Sequence, residues 1–212
     1  MKIGIIGSGR IGSTLASLFA AAGHEVQIGT RRDPREFEEL TRDLGPRVSA
    51  HPIDAAARFG EVIAVAIPFG VIGELPPGAF AGKIVVDANN YYPNRDGHVA
   101  ELDADETTST EMLARGLPDA TVVKAFNTMY YGTLASAGKS DAPPDERLAI
   151  YLAGDDPSAK SIVSELIEQI GFAPVDTGDL ARGGRLQQPG SPIYANDVKA
   201  AEARRVLAGL SS

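Results

Sequence analysis

Residues 2–32, KIGIIGSGRIGSTLASLFAAAGHEVQIGTRR, limit the fold more than any other stretch. Ile3, Ile5 and Ile6 form a short apolar strand, and Gly7, Ser8, Gly9, Arg10, Ile11 and Gly12 supply G-x-G-x-x-G where that strand must turn into a helix. In such a unit the first glycine allows the tight turn, the second lets a pyrophosphate approach the backbone, and the third lets helix and strand pack closely. The N–H groups and positive dipole end of the helix offer the phosphates a site without any lysine. Gly23 closes the helix, and residues 24–29 read as a second strand. In a chain with 23 glycines the motif alone would say little. The order strand, glycine turn, helix, strand, all within about 30 residues, predicts a dinucleotide-binding βαβ unit.

Further along, residues 33–44 read as a charged helix opened by Asp33 and Pro34 and stopped by Gly45 and Pro46. Strands are expected at 47–50, 61–67, 83–87 and 121–126, and a helix at 53–59. The 61–67 run is nearly all apolar, as a central parallel strand covered on both faces requires. Thr108 and Glu111 have capping-box spacing for a helix reaching about Arg115. Six strands alternating with helices predict an α/β fold, a Rossmann doubly wound parallel sheet. A strand at 148–153, an amphipathic helix opened by Asp156 and Pro157, a strand at 172–176 and an Ala-rich helix near 197–210 add a small C-terminal α/β extension. The simplest partition is one NAD(P)-binding domain over residues 1–212 with 148–212 as that extension. Residues 127–147 and 183–192 lack a regular pattern. The first has the length of a lid or binding loop; the second reads equally as a surface strap or as a cover for a substrate or a second subunit.

NAD specificity usually places a carboxylate at the end of the second strand, on the adenosine ribose. Thr30, Arg31 and Arg32 stand there instead. A guanidinium bonds a 2′-phosphate bidentately where a carboxylate would repel it, so NADP (NADPH) is the expected cofactor. Asp33 falls after the arginines and reads as a cap of the next helix.

The net charge of −8 argues against nucleic acid or an anionic membrane as partner. The absence of cysteine excludes disulfides, thiol nucleophiles and thiolate metal sites. No run reaches the roughly 18 apolar residues of a membrane span, and the start of the chain does not read as a signal peptide; a cytoplasmic enzyme is expected. His24, His51 and His98 lack metal-ligand spacing and read as surface residues, and Asp103, Asp105 and Glu106 as solvated carboxylates. No tyrosine has a lysine four residues later, as a short-chain dehydrogenase needs, and no G-x-S-x-G occurs.

Ligands of open α/β sheets bind outside the carboxyl ends of the strands. Those ends carry Pro68 and Phe69, then Asn89 to Tyr92, then Asn127 to Tyr131, a neutral, aromatic, amide-rich set with no evident acid or base. Direct hydride transfer from a nicotinamide to a flavin-like small-molecule acceptor needs none, because the protein has only to stack and orient two cofactors. Carbonyl or imine reduction would need a proton donor, for which Tyr91, Tyr92, Tyr130 and Tyr131 are the candidates. A non-catalytic NADP(H) sensor is the third alternative.

The segments GSGRIGSTLA, IGTRR, AIPF at 66–69, VVKAFNT at 122–128, LAGDD at 152–156 and IGFAPVDTGDLARGGRL at 170–186 resemble the coenzyme F420-dependent NADP oxidoreductases. They are also similar to the cytosolic reductase domain of the six-transmembrane metalloreductases, which uses NADPH and a flavin. The resemblance spans residues 2–186. It implies an often dimeric protein, a homodimer here, that passes hydride between NADP(H) and F420 or a flavin (FMN or FAD). It assigns Gly7, Ser8, Gly9, Arg10 and Ile11 to the pyrophosphate loop and Thr30, Arg31 and Arg32 to the 2′-phosphate. By the same resemblance Ala66, Ile67 and Pro68 lie beside the nicotinamide ribose, and Asn89, Ala125 and Asn127 on the nicotinamide side. The archaeal deazaflavin enzymes carry a His in the segment that matches Phe126 to Thr128, where this chain has Asn127.

Overall fold

In a computed structural model, which describes residues 1–31 and 37–210, the chain forms one eight-stranded sheet. In chain order the elements are β1 (Lys2–Ile6), α1 (Arg10–Ala21), β2 (Glu25–Thr30), α2 (Glu38–Leu44), β3 (Val48–Pro52), α3 (Ile53–Phe59), β4 (Val62–Val65) and β5 (Ile84–Asp87). Then come α4 (Pro93–Asp96), α5 (Ala100–Asp103), α6 (Ser109–Gly116), β6 (Thr121–Ala125), α7 (Tyr131–Ser136), β7 (Ala149–Gly154), α8 (Pro157–Gln169), β8 (Ala173–Asp176), α9 (Arg182–Leu186) and α10 (Ala200–Leu210). Short 3-10 turns occupy Phe69–Glu74, Pro77–Ala79 and Pro144–Glu146. The helix start expected at Asp33 and Pro34 lies outside the described residues.

The strand order is β3-β2-β1-β4-β5-β6-β7-β8. Strands β1 to β6 pair parallel, as expected, whereas β7 runs antiparallel to β6, with Ala125 opposite Leu152, and β8 follows β7 in parallel. The sheet is therefore mostly parallel. A parallel partner for β6 would need a crossover to the far edge of the sheet; residues 126–148 instead stay at the carboxyl edge, where α7 packs near α1.

The central strands bury both faces. Val62 and Ala64 belong to the core that includes Leu15, Phe19, Val163 and Ile167, while Ile63 and Val65 belong to the opposite core with Ala56, Phe80 and Leu113. This alternation across a covered sheet explains why their sequences are apolar throughout. Helix α10 covers the last two strands through Ala200 and Ala203, packed with Tyr151 and Val175.

His24 departs from its expected surface position. It is 7% exposed, its Nε2 lies 2.7 Å from Gln169 Oε1, and its ring meets Phe19 edge-on. The reason is that the turn between α1 and β2 packs on the end of α8, and burial lowers the imidazole pKa below its ordinary value. His98 is exposed and pairs with Asp103 at 2.8 Å.

The capping box at α6 forms as its spacing predicts: Thr108 Oγ1 accepts from the Glu111 N–H at 3.1 Å, and Glu111 Oε2 from the Thr108 N–H at 2.8 Å. Thr108→Ala is expected to cost about 1 kcal/mol and to lower Tm by roughly 2–4 °C in a thermal melt. An unchanged Tm would mean that water satisfies these amides equally well.

Candidate functional site

The site grows from the turn between β1 and α1. Gly7 has φ +111°, and a Cβ there would lie 2.4 Å from the Ala66 carbonyl oxygen. A Cβ on Gly12 would lie 1.9 Å from the Gly7 carbonyl oxygen. Both positions therefore admit only glycine without a shift of backbone. Gly9 differs, because its Cβ would meet nothing within 4 Å; the space over it is open. Gly9 occupies the cap position of α1, no side chain caps the helix, and no acidic residue lies in its first turn. The positive end of a twelve-residue helix is thus presented at the carboxyl edge, between β1 and β4, where the strand order reverses.

From this turn a crevice opens in two lobes that share Gly9, Ala66, Ile67 and Pro68. The first lobe, about 540 Å³, reaches the end of β2 and is lined by Gly7, Ser8, Gly29, Thr30 and Arg31. Thr30 is buried, and Arg31 pairs with Glu74 at 2.6 Å, both side chains about half exposed. Arg32 lies outside the described residues.

The second lobe, about 500 Å³, runs from Arg10 and Ile11 to Asn89 and Asn127. Its lining includes no carboxylate; its charged members are Arg10 and Arg95. Asn89 Oδ1 accepts from the Ile67 N–H at 2.9 Å, while its buried Nδ2 has no partner. Behind Asn89 lies an ion pair, Lys124 Nζ to Asp87 Oδ2 at 3.2 Å, with both side chains 1% exposed. Every polar atom of the pair is used: Asp87 Oδ1 accepts from the Asn89 N–H at 3.0 Å, Oδ2 from Thr110 Oγ1 at 2.5 Å, and Lys124 also donates to the Asn89 carbonyl at 3.0 Å. The pair fixes the backbone on both sides of Asn89.

Asn127 follows Phe126, a buried residue at φ +66°. Its Nδ2 donates to the Gln187 carbonyl at 2.7 Å and to Asn90 Oδ1 at 3.0 Å, and Asn90 Nδ2 donates back to the Asn127 carbonyl at 2.9 Å. The 183–192 segment is thereby tied into the site. Gln187 is fully buried, and the Ala195 N–H donates to the Thr128 carbonyl at 2.9 Å. Tyr194, two residues beyond that segment, meets the Tyr92 hydroxyl inside the lobe.

Of the residues singled out in the sequence, Gly7, Ser8, Gly9, Arg10, Ile11, Thr30, Arg31, Ala66, Ile67, Pro68, Asn89 and Asn127 line the crevice. Gly12 and Ala125 do not: the first packs beneath the turn, and the second is wholly buried in β6. Tyr91 turns away, donating to Asp103 at 2.7 Å and packing against Phe69. Tyr130 stands exposed at the mouth beside Tyr131, whose ring Arg10 covers at 4.8 Å. Tyr194, Arg95, Gln187 and the Asp87–Lys124 pair were not foreseen. A signal for the pair existed, since each charge sits in an otherwise apolar strand, and the parallel register sets Asp87 opposite Lys124.

A mostly parallel doubly wound sheet, with a glycine turn feeding an uncapped helix at its switch point, defines a Rossmann-type nucleotide-binding protein. Within that class, the family model described as NADP oxidoreductase, coenzyme F420-dependent, matches residues 2–91. Over that stretch the chain is similar to this family of NADP oxidoreductases. It is 33% identical over 189 residues to metalloreductase STEAP3 of Rattus norvegicus, an alignment covering 88% of this chain and 36% of the relative. The chain thus spans about a third of the length of the curated relatives it matches. The crystal structure of a hypothetical protein from Sinorhizobium meliloti matches with TM-score 0.82 and 34% identity, over 94% of this chain and 95% of that one. That of a provisionally named F420-dependent NADP reductase from Arthrobacter sp. FB24 matches with TM-score 0.73 and 29% identity, over 88% and 89%. No described helix is long and apolar enough to cross a membrane.

Proposed function

We propose that this chain is an NADPH-dependent oxidoreductase that passes hydride directly between NADP(H) and a deazaflavin (F420) or flavin acceptor. One observation carries the reading: two lobes share a floor, one with guanidinium and hydroxyl groups at its far end, the other aromatic, amide-rich and free of carboxylates. The residues fit an extended dinucleotide. The open space over Gly9 and the uncapped N-terminus of α1 suit a pyrophosphate, and the unpartnered Asn89 Nδ2 is a donor awaiting an acceptor atom.

When bound, NADPH supplies the hydride, and the single proton that completes reduction of the acceptor is drawn from solvent. The protein's part is to bind and orient. Gly7, Ser8, Gly9, Arg10 and Ile11 hold the pyrophosphate, Ala66, Ile67 and Pro68 border the nicotinamide ribose, and Asn89 and Asn127 fix the nicotinamide end. Thr30 and Arg31, with Arg32, take the 2′-phosphate. Positioning of this kind contributes to rate without a protein acid or base. Arg31 must leave Glu74 to engage a phosphate, and an exposed ion pair of this sort resists by about 1 kcal/mol or less.

Two measurements test the reading. Under anaerobic conditions the protein should oxidise NADPH when F420, FMN or FAD is added, followed by NADPH absorbance; turnover with carbonyl or imine substrates alone would overturn it. Arg31→Glu should weaken NADPH binding by about 1–3 kcal/mol, or roughly 5- to 150-fold in Kd, and leave NADH nearly unchanged. Equal losses for the two cofactors would remove the 2′-phosphate assignment.

A further inference from the structure

The second lobe contains a polar group that hydride transfer as set out above leaves unused. Tyr92, after β5, and Tyr194, in the segment between α9 and α10, join their hydroxyls in a direct hydrogen bond on the lobe wall. The Arg95 guanidinium lies over the Tyr92 ring at 4.9 Å and is itself anchored on the Asn90 carbonyl at 2.6 Å and on Asp96 at 2.8 Å. Asn90 Nδ2 lies 3.4 Å from the Tyr194 hydroxyl as a donor. The two rings are therefore fixed by neighbours on both sides.

A count of hydrogens gives the pair its meaning. Two phenols carry two O–H groups, and the bond between them uses one. Asn90 adds a donor, not an acceptor. Among the described residues no carbonyl or carboxylate accepts from either hydroxyl, so one O–H is left over at the lobe wall. Burial raises the Tyr194 pKa above the usual phenol range, so at neutral pH the hydroxyl keeps its proton and acts as a donor. The rest of the lining is aromatic and amide, with two arginines and no carboxylate to take this hydrogen.

We infer that the Tyr92–Tyr194 pair donates this surplus hydrogen bond to a ring carbonyl of the hydride acceptor, and so selects acceptors that carry an amide- or imide-type C=O on a planar ring. The inference rests on the second lobe being the acceptor's side of the crevice, as proposed above. Tyr194 is then a specificity residue delivered by the 183–195 segment, which is why that segment is tied to Asn127 and Thr128. A pocket wall that offers a half-buried donor discriminates against ligands that cover it without accepting from it, because the donor is then left unpaired.

Tyr194→Phe and Tyr92→Phe test this while keeping both rings in place. The probes are FMN and F420, titrated by their own fluorescence onto protein saturated with NADP+. Either substitution alone frees the remaining phenol's O–H from the internal bond, so the decisive protein is the double variant Tyr92→Phe/Tyr194→Phe; it should weaken probe binding by about tenfold, with Kd for NADPH held within about twofold as the control for an intact first lobe, and KM for the probe should rise by more than kcat falls. Should the double variant fail to fold, wild-type protein titrated with acridine, a planar ring without a carbonyl, replaces it: acridine should bind about tenfold more weakly than lumiflavin, and equal affinity overturns the assignment. Unchanged probe affinity in the folded double variant of a wild-type protein that does oxidise NADPH with flavin or F420 overturns the phenol assignment and leaves hydride transfer standing. A wild-type protein that neither binds the probes nor oxidises NADPH with them overturns both.

Discussion

Lys124→Met is expected to destabilise the protein by about 3–5 kcal/mol, because removing one member of a buried ion pair leaves the other charged and alone. Asp87 is 1% exposed and would keep its bonds from Thr110 and the Asn89 N–H while losing the cation that balances it. In a protein of this size such a loss corresponds to a fall in Tm of roughly 10 °C. The effect should reach the crevice, since the same ammonium holds the Asn89 carbonyl, and Asn89 in turn holds the Ile67 N–H. Asp87→Leu combined with Lys124→Met should recover part of the loss, because a buried pair replaced as a whole by apolar groups costs far less than a broken one. Recovery stays partial, since Thr110 and the Asn89 N–H lose their acceptor. Urea denaturation of the three variants measures this directly; a single Lys124→Met change within about 0.5 kcal/mol of wild type would show that water or a shifted side chain compensates Asp87.

The glycine turn gives the second large expectation, a separation of stability from binding. Gly12→Ala drives a methyl to 1.9 Å from the Gly7 carbonyl oxygen, against backbone that cannot swing aside. It should cost about 1–3 kcal/mol, the usual penalty of overpacking, and should lower NADPH affinity as the turn shifts. Gly9→Ala places its methyl in open space, at a residue whose φ of −74° suits alanine. Stability should hold within about 0.5 kcal/mol, while NADPH affinity falls about tenfold or more because the methyl stands where the pyrophosphate must approach the backbone. Thermal melts beside NADPH titrations separate the two. A Gly9→Ala protein that binds NADPH like wild type would place the pyrophosphate elsewhere.

The first half of the fold was legible because its signals are local. A buried strand such as Val62–Val65 announces itself by an unbroken apolar run, and Thr108 with Glu111 by a three-residue spacing. Strand direction at β7 was not legible, since the sequence of Ala149–Gly154 fits either orientation and the choice depends on the path of residues 126–148. The same distinction divides the crevice. Residues on the glycine turn and at strand ends are placed by the motif and by the rule that ligands sit at carboxyl ends. Tyr194 and Gln187 come from an irregular segment whose position is set by tertiary bonds to Asn90, Asn127 and Thr128. His24 was misread for a related reason: nothing near it in the chain reveals Gln169, which lies 145 positions away.

The bond from Asn127 to the Gln187 carbonyl joins residues 60 positions apart. Everything that lines the first lobe, by contrast, is encoded within residues 7–71. Chains grow from the N-terminus and fold as they emerge, so the nucleotide side of the crevice is synthesised long before the segment that closes the other side. A nascent chain consequently carries every residue of the cradle for one reactant while the wall for its partner has not been made.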